Sequence, residues 1–273
     1  MSMIQTVVLG ALQGFTEVLP ISSSAHLILV PWLLRWPESG LTFDVALHLG
    51  TFLAMMVYFR QDIVTMIRST IDAISSRSFD TPSRKLPFLI VAATVPAALL
   101  GKKFEHLLEE VFRSNPLLIA AILIIFGLVL GAADRFGRKA LALEDIRPNS
   151  AMFIGLLQCL ALIPGVSRSG ITITAGLMLG FTRESAARFS FLLSLPIVAG
   201  AALLKSFDLV RNGIPQGEVL PLLVGIGVSA VTGYISVAFL LRFVQRRSIA
   251  PFVWYRVLAG GAVVALILSG YGG

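Results

Sequence analysis

Residues 164–172 combine residue types that bind phosphate with a break in an apolar sequence. They read Pro-Gly-Val-Ser-Arg-Ser-Gly-Ile-Thr, and the apolar runs on both sides are too short to cross a bilayer alone. Arg168 would therefore lie deep in the membrane, where an arginine is costly and indicates a functional site. Glycines, hydroxyls, freed backbone N–H groups and a guanidinium together can form a cradle for phosphate. The alternative is a helix kink whose arginine reaches towards the surface.

A second polar break, near the N-terminus, supplies acid–base groups. Gln13 and Glu17 are four residues apart and share one face of a helix. A buried carboxylate such as Glu17 needs a cation, a metal ion or a proton as its partner. Ser23 and His26 follow in the turn. With Arg168 these groups provide an acid–base pair, a nucleophile and an anion clamp, which are the roles that phosphoryl transfer requires.

Several assignments stay open at this point. The hydroxyls of Ser22–Ser24 could simply cap a helix, and His26 could do the same. Either Ser23 or a water molecule could attack phosphorus, and Glu17 could act as a base or hold a metal ion. His48, in the next apolar run, is a weaker candidate for the same cavity.

The composition is that of a polytopic all-α membrane protein. Of the 273 residues, 56% are hydrophobic and 14% are charged, and the mean hydropathy is +0.86. The net charge of +7 is spread over short loops, so nucleic acid is not an expected partner. Cys159 is the one cysteine, which excludes an internal disulfide. No Lys or Arg precedes Arg35, so the apolar N-terminus lacks the basic region of a signal peptide and we expect it to be retained.

Hydrophobic runs predict two re-entrant hairpins and six full spans. The first hairpin combines Met3–Val18 with Leu27–Leu34, and the second combines Ser150–Ile163 with Ile173–Phe181. Polar connections are predicted at residues 60–85, 102–115 and 135–149. The predicted spans are Thr42–Phe59, Leu86–Leu100, Pro116–Ala133, Ala186–Leu204, Val219–Leu241 and Pro251–Leu268.

The sequence also predicts an internal repeat within a single membrane domain, residues 1–273. A shift of 145 residues lays Gly10, Leu12, Gln13, Ser22 and Ser24 on Gly155, Leu157, Gln158, Ser167 and Ser169. Each half, 1–145 and 146–273, would contain one re-entrant hairpin and three transmembrane helices. Because three is odd, the halves would face opposite ways, as in the inverted-topology repeats of many transporters. A lipid-carrier flippase or transporter is therefore the alternative function.

The distribution of Lys and Arg predicts the orientation. Fourteen basic residues lie on one side of the predicted topology and six on the other, so the richer side is predicted to be cytoplasmic. The two hairpins then enter from opposite sides, and their tips meet near the midplane. The fourteen are Arg60, Arg68, Arg77, Arg84, Lys85, Arg135, Arg138, Lys139, Arg147, Arg183, Arg188, Arg242, Arg246 and Arg247, and the six are Arg35, Lys102, Lys103, Arg113, Lys205 and Arg211.

Two motifs resemble those of the undecaprenyl-diphosphate phosphatase family, also called bacitracin-resistance proteins, and the resemblance covers essentially the whole chain. The first motif is Gln13-Gly-Phe-Thr-Glu17, followed by the run from Leu19 to His26, Leu-Pro-Ile-Ser-Ser-Ser-Ala-His. The second is the run from Pro164 to Thr172, with a further threonine at position 174. Position 25 holds alanine where glycine is common in the family, and position 166 holds valine where threonine is common. Neither departure replaces a side chain that is expected to act in catalysis.

The resemblance implies a multi-pass enzyme of the bacterial plasma membrane that hydrolyses undecaprenyl diphosphate to undecaprenyl phosphate. This reaction recycles the lipid carrier of cell-wall synthesis. The resemblance also implies a site open to the outer face and a divalent cation, Mg²⁺ or Ca²⁺, held with the substrate diphosphate or by Glu17. The expected partners are the polyprenyl diphosphate and membrane lipids, and a homodimer is left open. The implied catalytic residues are Glu17, Ser23, His26 and Arg168, and the implied phosphate-binding residues are Gln13, Ser22, Ser24, Gly165, Ser167, Ser169, Gly170 and Thr172.

Overall fold

The chain folds into helices joined by short connections. The computed structural model describes the backbone of residues 1–37, 40–212 and 218–271, and the side chains of these residues except 41, 42, 102, 105–110 and 201–212. Within this part, β pairing is limited to one bridge between Leu141 and Phe181, so the predicted all-α class is confirmed. The α-helices of the described residues are α1 (Met3–Val18), α2 (Ser23–Leu34), α3 (Leu41–Tyr58), α4 (Arg60–Ser76), α5 (Pro82–Arg113), α6 (Pro116–Phe136), α7 (Pro148–Gln158), α8 (Arg168–Met178), α9 (Arg183–Asn212), α10 (Val219–Arg246) and α11 (Ala250–Leu268), and two short 3₁₀ helices span Leu143–Asp145 and Cys159–Leu162.

In the described part of the chain, four helices are long and apolar enough to cross a membrane: α5 over Pro82–Gly101, α6, α10 and α11. They contain four of the predicted spans, and their exposed side chains include Leu128 and Leu258, as expected for contact with lipid. The predicted span Thr42–Phe59 corresponds to α3, which meets α4 at a bend of 73°, and this bent pair would make a fifth crossing. The predicted span Ala186–Leu204 lies on α9, partly beyond the residues whose side chains are described.

Two predicted polar connections are helical. The segment 102–115 is predicted to be a loop, but α5 continues through it to Arg113. Its Lys, Glu and Leu residues are strong helix formers and it contains no Gly or Pro, so its charge does not end the helix. The segment 60–85 contains α4, on which Ile67, Ile71 and Ile74 are exposed. An exposed apolar stripe at this spacing is typical of a helix face that contacts lipid.

The two polar breaks have the same local structure. Ser22 precedes α2 and Ser167 precedes α8, and both have φ values in the left-handed region, 75° and 73°. Each serine uses its Oγ to accept a backbone N–H of the helix that it precedes, from Ala25 at 3.4 Å and from Gly170 at 3.1 Å. The serine breaks are therefore structurally equivalent. That the two halves have inverted topology stays a prediction.

Each hairpin packs against a helix of the other half of the chain. Helix α1 lies along α10, and α7 lies along α5. Glycines allow these close contacts, because a Cβ added to Gly14 would lie 1.8 Å from Thr232 Oγ1 and one added to Gly155 would lie 2.3 Å from Ala93 O. The segments 1–145 and 146–273 are therefore interlocked, and this packing brings the two breaks together.

Ion pairs form at both ends of α6. Asp134, near the C-terminal end of α6, accepts from Arg183 at 2.5 and 3.2 Å. Arg113, just before the start of α6, binds Asp44 at 2.8 Å. Because α6 is long enough to span a membrane, these pairs would be on different sides if α6 crosses it. The division of the basic residues into two sides stays a prediction, and so does the choice of the cytoplasmic set.

Cysteine labelling tests the predicted orientation. Ser75 in α4 and Ser114 after α5 are both exposed and lie beside basic residues of the two predicted sides. In a background with Cys159→Ser, Ser114→Cys should react with a membrane-impermeant maleimide on intact cells, whereas Ser75→Cys should react only after permeabilisation. Labelling of Ser75→Cys but not Ser114→Cys on intact cells would reverse the orientation.

Candidate active site

A cavity of about 310 Å³ lies between the two breaks. Glu17, Ser23 and Ser24 of the first break line it, and so do Ser167 and Arg168 of the second. Much of its remaining wall is apolar, which suits a lipid chain. The other described polar side chains in the wall are Asp44, His48, Arg113 and Gln158, and the apolar residues include Leu27, Ile28, Val45, Leu162, Ile197 and Val198.

Glu17 is the centre of the hydrogen bonding in this cavity. Its Oε1 accepts from Arg168 Nη2 at 2.5 Å, and its Oε2 accepts from Ser23 Oγ at 2.6 Å. Gln13 Nε2 donates to Oε2 at 3.3 Å, and His48 Nε2 lies 3.4 Å from the same oxygen. The Glu17 side chain is only 7% exposed. The buried carboxylate therefore has a cation as its partner, which is one of the three partners that the sequence allows.

Of the three serines in the first break, Ser23 is the one that donates to the carboxylate. Ser22 Oγ caps α2 and lies 3.2 Å from Ser24 Oγ. A serine hydroxyl that donates to a carboxylate at 2.6 Å can lose its proton to that carboxylate. The geometry therefore favours Ser23 as the nucleophile and gives Ser22 a capping role.

His26 binds groups outside the Glu17 cluster. Its Nδ1 lies 2.7 Å from Ser22 O, and its Nε2 lies 2.7 Å from Tyr255 Oη. Because a carbonyl oxygen only accepts, Nδ1 carries a proton, and in the neutral ring Nε2 accepts from Tyr255. Glu17 rather than His26 is therefore positioned to take the proton of Ser23. An acid–base role for His26 stays a prediction.

His48 lies in the site, although the sequence gives it a lower rank. Its Nδ1 lies 2.8 Å from Asp44 O and donates to that carbonyl, so its Nε2 is the atom that faces Glu17. Two acceptors repel, so the contact between Nε2 and the carboxylate is favourable only when one of them carries a proton. His48 and Glu17 can therefore share a proton. The sequence signal for His48 is its place in an apolar span, where a titratable side chain is costly.

Arg168 retains hydrogen-bonding capacity inside the cavity. Its Nη2 binds Glu17, whereas its Nη1 is buried and has no hydrogen-bond partner among the described residues. A buried guanidinium N–H without a partner is destabilising unless a ligand binds it. Because Arg168 lines the cavity, an anion bound there can supply that partner.

Several other predicted phosphate-binding residues of the second break bond to protein groups. Ser167 Oγ caps α8 through Gly170 N, and Ser169 Oγ donates to Leu19 O of the first break at 3.2 Å. Thr172 Oγ1 donates to a backbone carbonyl of its own helix at 2.8 Å. These contacts fix the break and join it to the first one. Phosphate binding by these side chains stays a prediction.

Arg256 of α11 forms hydrogen bonds with both breaks. It is not among the site residues predicted from the sequence. It is fully buried, and its guanidinium donates to Pro20 O at 3.3 Å in the first break. It also donates to Gly165 O at 2.8 Å and Val166 O at 3.1 Å in the second break. Gly165, with φ of 100°, adopts a conformation that favours glycine. The available signal for Arg256 is a charge inside a predicted span.

The side chains around Glu17 do not form a metal site by themselves. Among the described residues, no group of three or more His, Cys, Asp or Glu side chains could hold a metal ion. Glu17 instead accepts hydrogen bonds from Arg168 and Ser23, whose N–H and O–H groups occupy both carboxylate oxygens. A divalent cation would therefore take most of its oxygen ligands from a bound phosphate compound. Glu17 as a metal ligand stays a prediction.

Comparison with known proteins gives matches over nearly the whole chain. The profile of the family described as "Bacitracin resistance protein BacA" matches residues 6–262. A protein of Pelobacter propionicus called undecaprenyl-diphosphatase is 71% identical over 273 residues, which are 100% of both chains. Proteins with the same name from Geobacter metallireducens and Geobacter sulfurreducens are 60% and 61% identical over 269 residues, which cover 98% of this chain and 100% of theirs.

The geometry predicts that Glu17 and Arg168 depend on each other for stability. Arg168→Met leaves the Glu17 carboxylate buried without its cation, which should lower the free energy of unfolding by about 3–5 kcal/mol. The double variant Glu17→Gln/Arg168→Met removes both charges and should unfold at a higher temperature than Arg168→Met alone. Thermal unfolding in detergent measures this difference. Additive losses in the double variant would contradict the buried pair.

Proposed function

Because the chain belongs to the family of bacitracin resistance protein BacA, we propose that it hydrolyses undecaprenyl diphosphate to undecaprenyl phosphate and inorganic phosphate. The observation that carries the proposal is the contact of the Ser23 hydroxyl with Glu17, beside Arg168 Nη1, which has no hydrogen-bond partner in the described part of the chain. A nucleophile, a base and an anion-binding group thus line one cavity of a membrane protein. The reaction recycles the lipid carrier of cell-wall synthesis and confers bacitracin resistance.

The cavity accommodates the two chemically different parts of this substrate. The apolar wall, which includes Leu27, Leu162 and Ile197, contacts the first part of the prenyl chain. The terminal phosphate binds Arg168 Nη1, and its negative charge competes with Glu17 for the rest of the guanidinium. Binding therefore weakens the ion pair that holds Glu17 in the free enzyme.

Loss of this ion pair prepares Glu17 for proton transfer. A carboxylate without its neighbouring cation is a stronger proton acceptor. Ser23 Oγ attacks the terminal phosphorus, its proton moves to Glu17 Oε2, and the bond from phosphorus to the bridging oxygen breaks. Undecaprenyl phosphate leaves with the electron pair of that bond. Arg168 stabilises the charge on the transferring phosphoryl group.

Water completes the reaction in a second step. Glu17, after passing its proton to the leaving group or to His48, takes a proton from a water molecule. This water attacks the phosphoserine, the bond between phosphorus and Ser23 Oγ breaks, and Glu17 returns the proton to Ser23 Oγ as inorganic phosphate is released. His48 supports both steps because it can hold the proton that Glu17 accepts.

Further features of the enzyme belong to the proposal. A divalent cation, Mg²⁺ or Ca²⁺, would be held mainly by the oxygens of the substrate diphosphate and would neutralise part of its charge. The enzyme lies in the bacterial plasma membrane, and its site opens to the outer face, in line with the excess of basic residues on the other side. A homodimer stays a prediction.

Two alternatives differ in what they require. A lipid flippase would use the interlocked hairpins but would need no serine hydroxyl donating to a buried carboxylate. The similarity to diphosphatases favours the enzyme over the flippase. In the second alternative water attacks the substrate directly, with Glu17 as the base and Ser23 as a binding group.

Phosphate release by the purified protein tests the function and the nucleophile together. Wild type in detergent should release phosphate from undecaprenyl diphosphate. Ser23→Ala should lower turnover by about a thousand-fold or more, because the attacking oxygen is gone. Wild-type enzyme quenched in acid during turnover should carry phosphate on Ser23, which mass spectrometry detects. The control is Ser75→Ala, which removes an exposed hydroxyl on α4 outside the cavity wall and should keep the activity.

The outcomes separate the alternatives. No release by wild type would refute the hydrolase and leave the flippase. Release that persists in Ser23→Ala, with no trapped phosphoserine, would refute the covalent mechanism and favour attack by water.

A further inference from the structure

A buried glutamine lines the active-site cavity. Gln158 is the last residue of α7 and is 1% exposed. Neither its Oε1 nor its Nε2 has a hydrogen-bond partner among the described residues. Buried polar atoms are nearly always paired, because an unpaired one destabilises the folded state. An amide left unpaired in the wall of a cavity therefore indicates a ligand that supplies the partner.

An arginine lines the same cavity from the end of α5. Arg113 Nη2 donates to Asp44 Oδ2 at 2.8 Å, and the Arg113 side chain is 24% exposed. Asp44 lies on α3 one helical turn before His48, which contacts Glu17. The ion pair therefore joins Arg113 to the helix that carries His48.

The position of Arg113 also connects two cavities. A second cavity of about 300 Å³ is lined by Arg113 together with Trp32, Arg35 and Trp36. Arg113, Leu27 and Ile28 line both cavities, so they adjoin at this point. An anion in the active-site cavity next to Arg113 would thus lie nearer to the second cavity than one bound at Arg168.

We propose that Arg113 and Gln158 form a second phosphate subsite, which binds the phosphate group that stays attached to the lipid. The proposal deepens the function proposed above and rests on it. A diphosphate carries two anionic phosphate groups, and the one beside Ser23 binds Arg168 Nη1. The second group needs donors of its own, because a charge left unpaired in this largely apolar cavity is strongly unfavourable. The Arg113 guanidinium and the Gln158 amide supply the donors that it needs.

The subsite has a consequence for the reaction itself. When the bond from phosphorus to the bridging oxygen breaks, its electron pair stays on the lipid-bound phosphate. Negative charge therefore increases on the group that Arg113 and Gln158 bind. Donors fixed at that place stabilise the leaving group, so their loss should lower turnover as well as substrate binding.

Binding measurements with two single-phosphate ligands test the subsite without relying on activity. The probes are undecaprenyl phosphate, which carries the lipid-bound phosphate, and inorganic phosphate, which represents the terminal one. Gln158→Leu should raise the dissociation constant of undecaprenyl phosphate by about three- to ten-fold, and Arg113→Gln should raise it by about ten-fold or more. The dissociation constant of inorganic phosphate, bound at Arg168, should stay unchanged in both variants.

Thermal stability distinguishes a ligand-binding glutamine from a structural one. Leucine fills a similar volume without an unpaired amide, so Gln158→Leu should unfold at a higher temperature than wild type while it binds the lipid phosphate more weakly. A glutamine with a structural role would give a lower unfolding temperature. Arg188→Gln is the matched control for Arg113→Gln, because it removes an arginine paired with Asp62 in a cavity wall distant from this site. The control should leave both dissociation constants unchanged.

Two results would overturn the subsite. One is unchanged binding of undecaprenyl phosphate in both Gln158→Leu and Arg113→Gln. The other is an equal loss for undecaprenyl phosphate and inorganic phosphate, which would mean that both ligands use one site. Failure of wild type to hydrolyse the diphosphate would instead count against the proposed function, and the binding data would still decide for or against the subsite.

Discussion

An ion pair between two interrupted helices is the constraint on which this structure depends. Glu17 lies in the last turn of α1, and Arg168 is the first residue of α8. Their side chains form an ion pair at 2.5 Å, with 7% and 14% exposure. Either charge alone would be strongly destabilising among apolar helices. Each break can therefore hold its charged residue only when the other break is in place. The interlocked packing of α1 on α10 and of α7 on α5 supplies that arrangement.

Other contacts also join the two breaks and would remain when the pair opens. Arg256 binds backbone carbonyls of both breaks, and Ser169 bonds to the backbone of the first break. In the proposed mechanism a phosphate can therefore draw Arg168 away from Glu17 while the breaks keep their positions. The same event frees Glu17 to take the proton of Ser23, so substrate binding and activation of the nucleophile are one step.

The sequence predicts the parts of this site better than their contacts. Glu17 and Arg168 can be identified because no structural reason requires a charge in an apolar run, and the same rule would have identified Arg256. Their partners depend on tertiary packing between different helices, which local spacing does not encode. That is why His26, three residues after Ser23, turns out to bind Tyr255, and why His48 contacts Glu17. The prediction of a loop after Gly101 is wrong, because the residues of this charged segment favour a helix and α5 continues through it.

An experimental structure with bound vanadate, a mimic of the transferring phosphoryl group, would test the central claim most directly. If Ser23 is the nucleophile, vanadium should be bonded to Ser23 Oγ. Arg168 should have turned from Glu17 to the vanadate oxygens, and Glu17 Oε2 should remain within hydrogen-bond distance of Ser23. His26 should still contact Tyr255. Vanadate held away from Ser23, with the Glu17–Arg168 pair intact and a water molecule in line with vanadium, would contradict nucleophilic attack by Ser23.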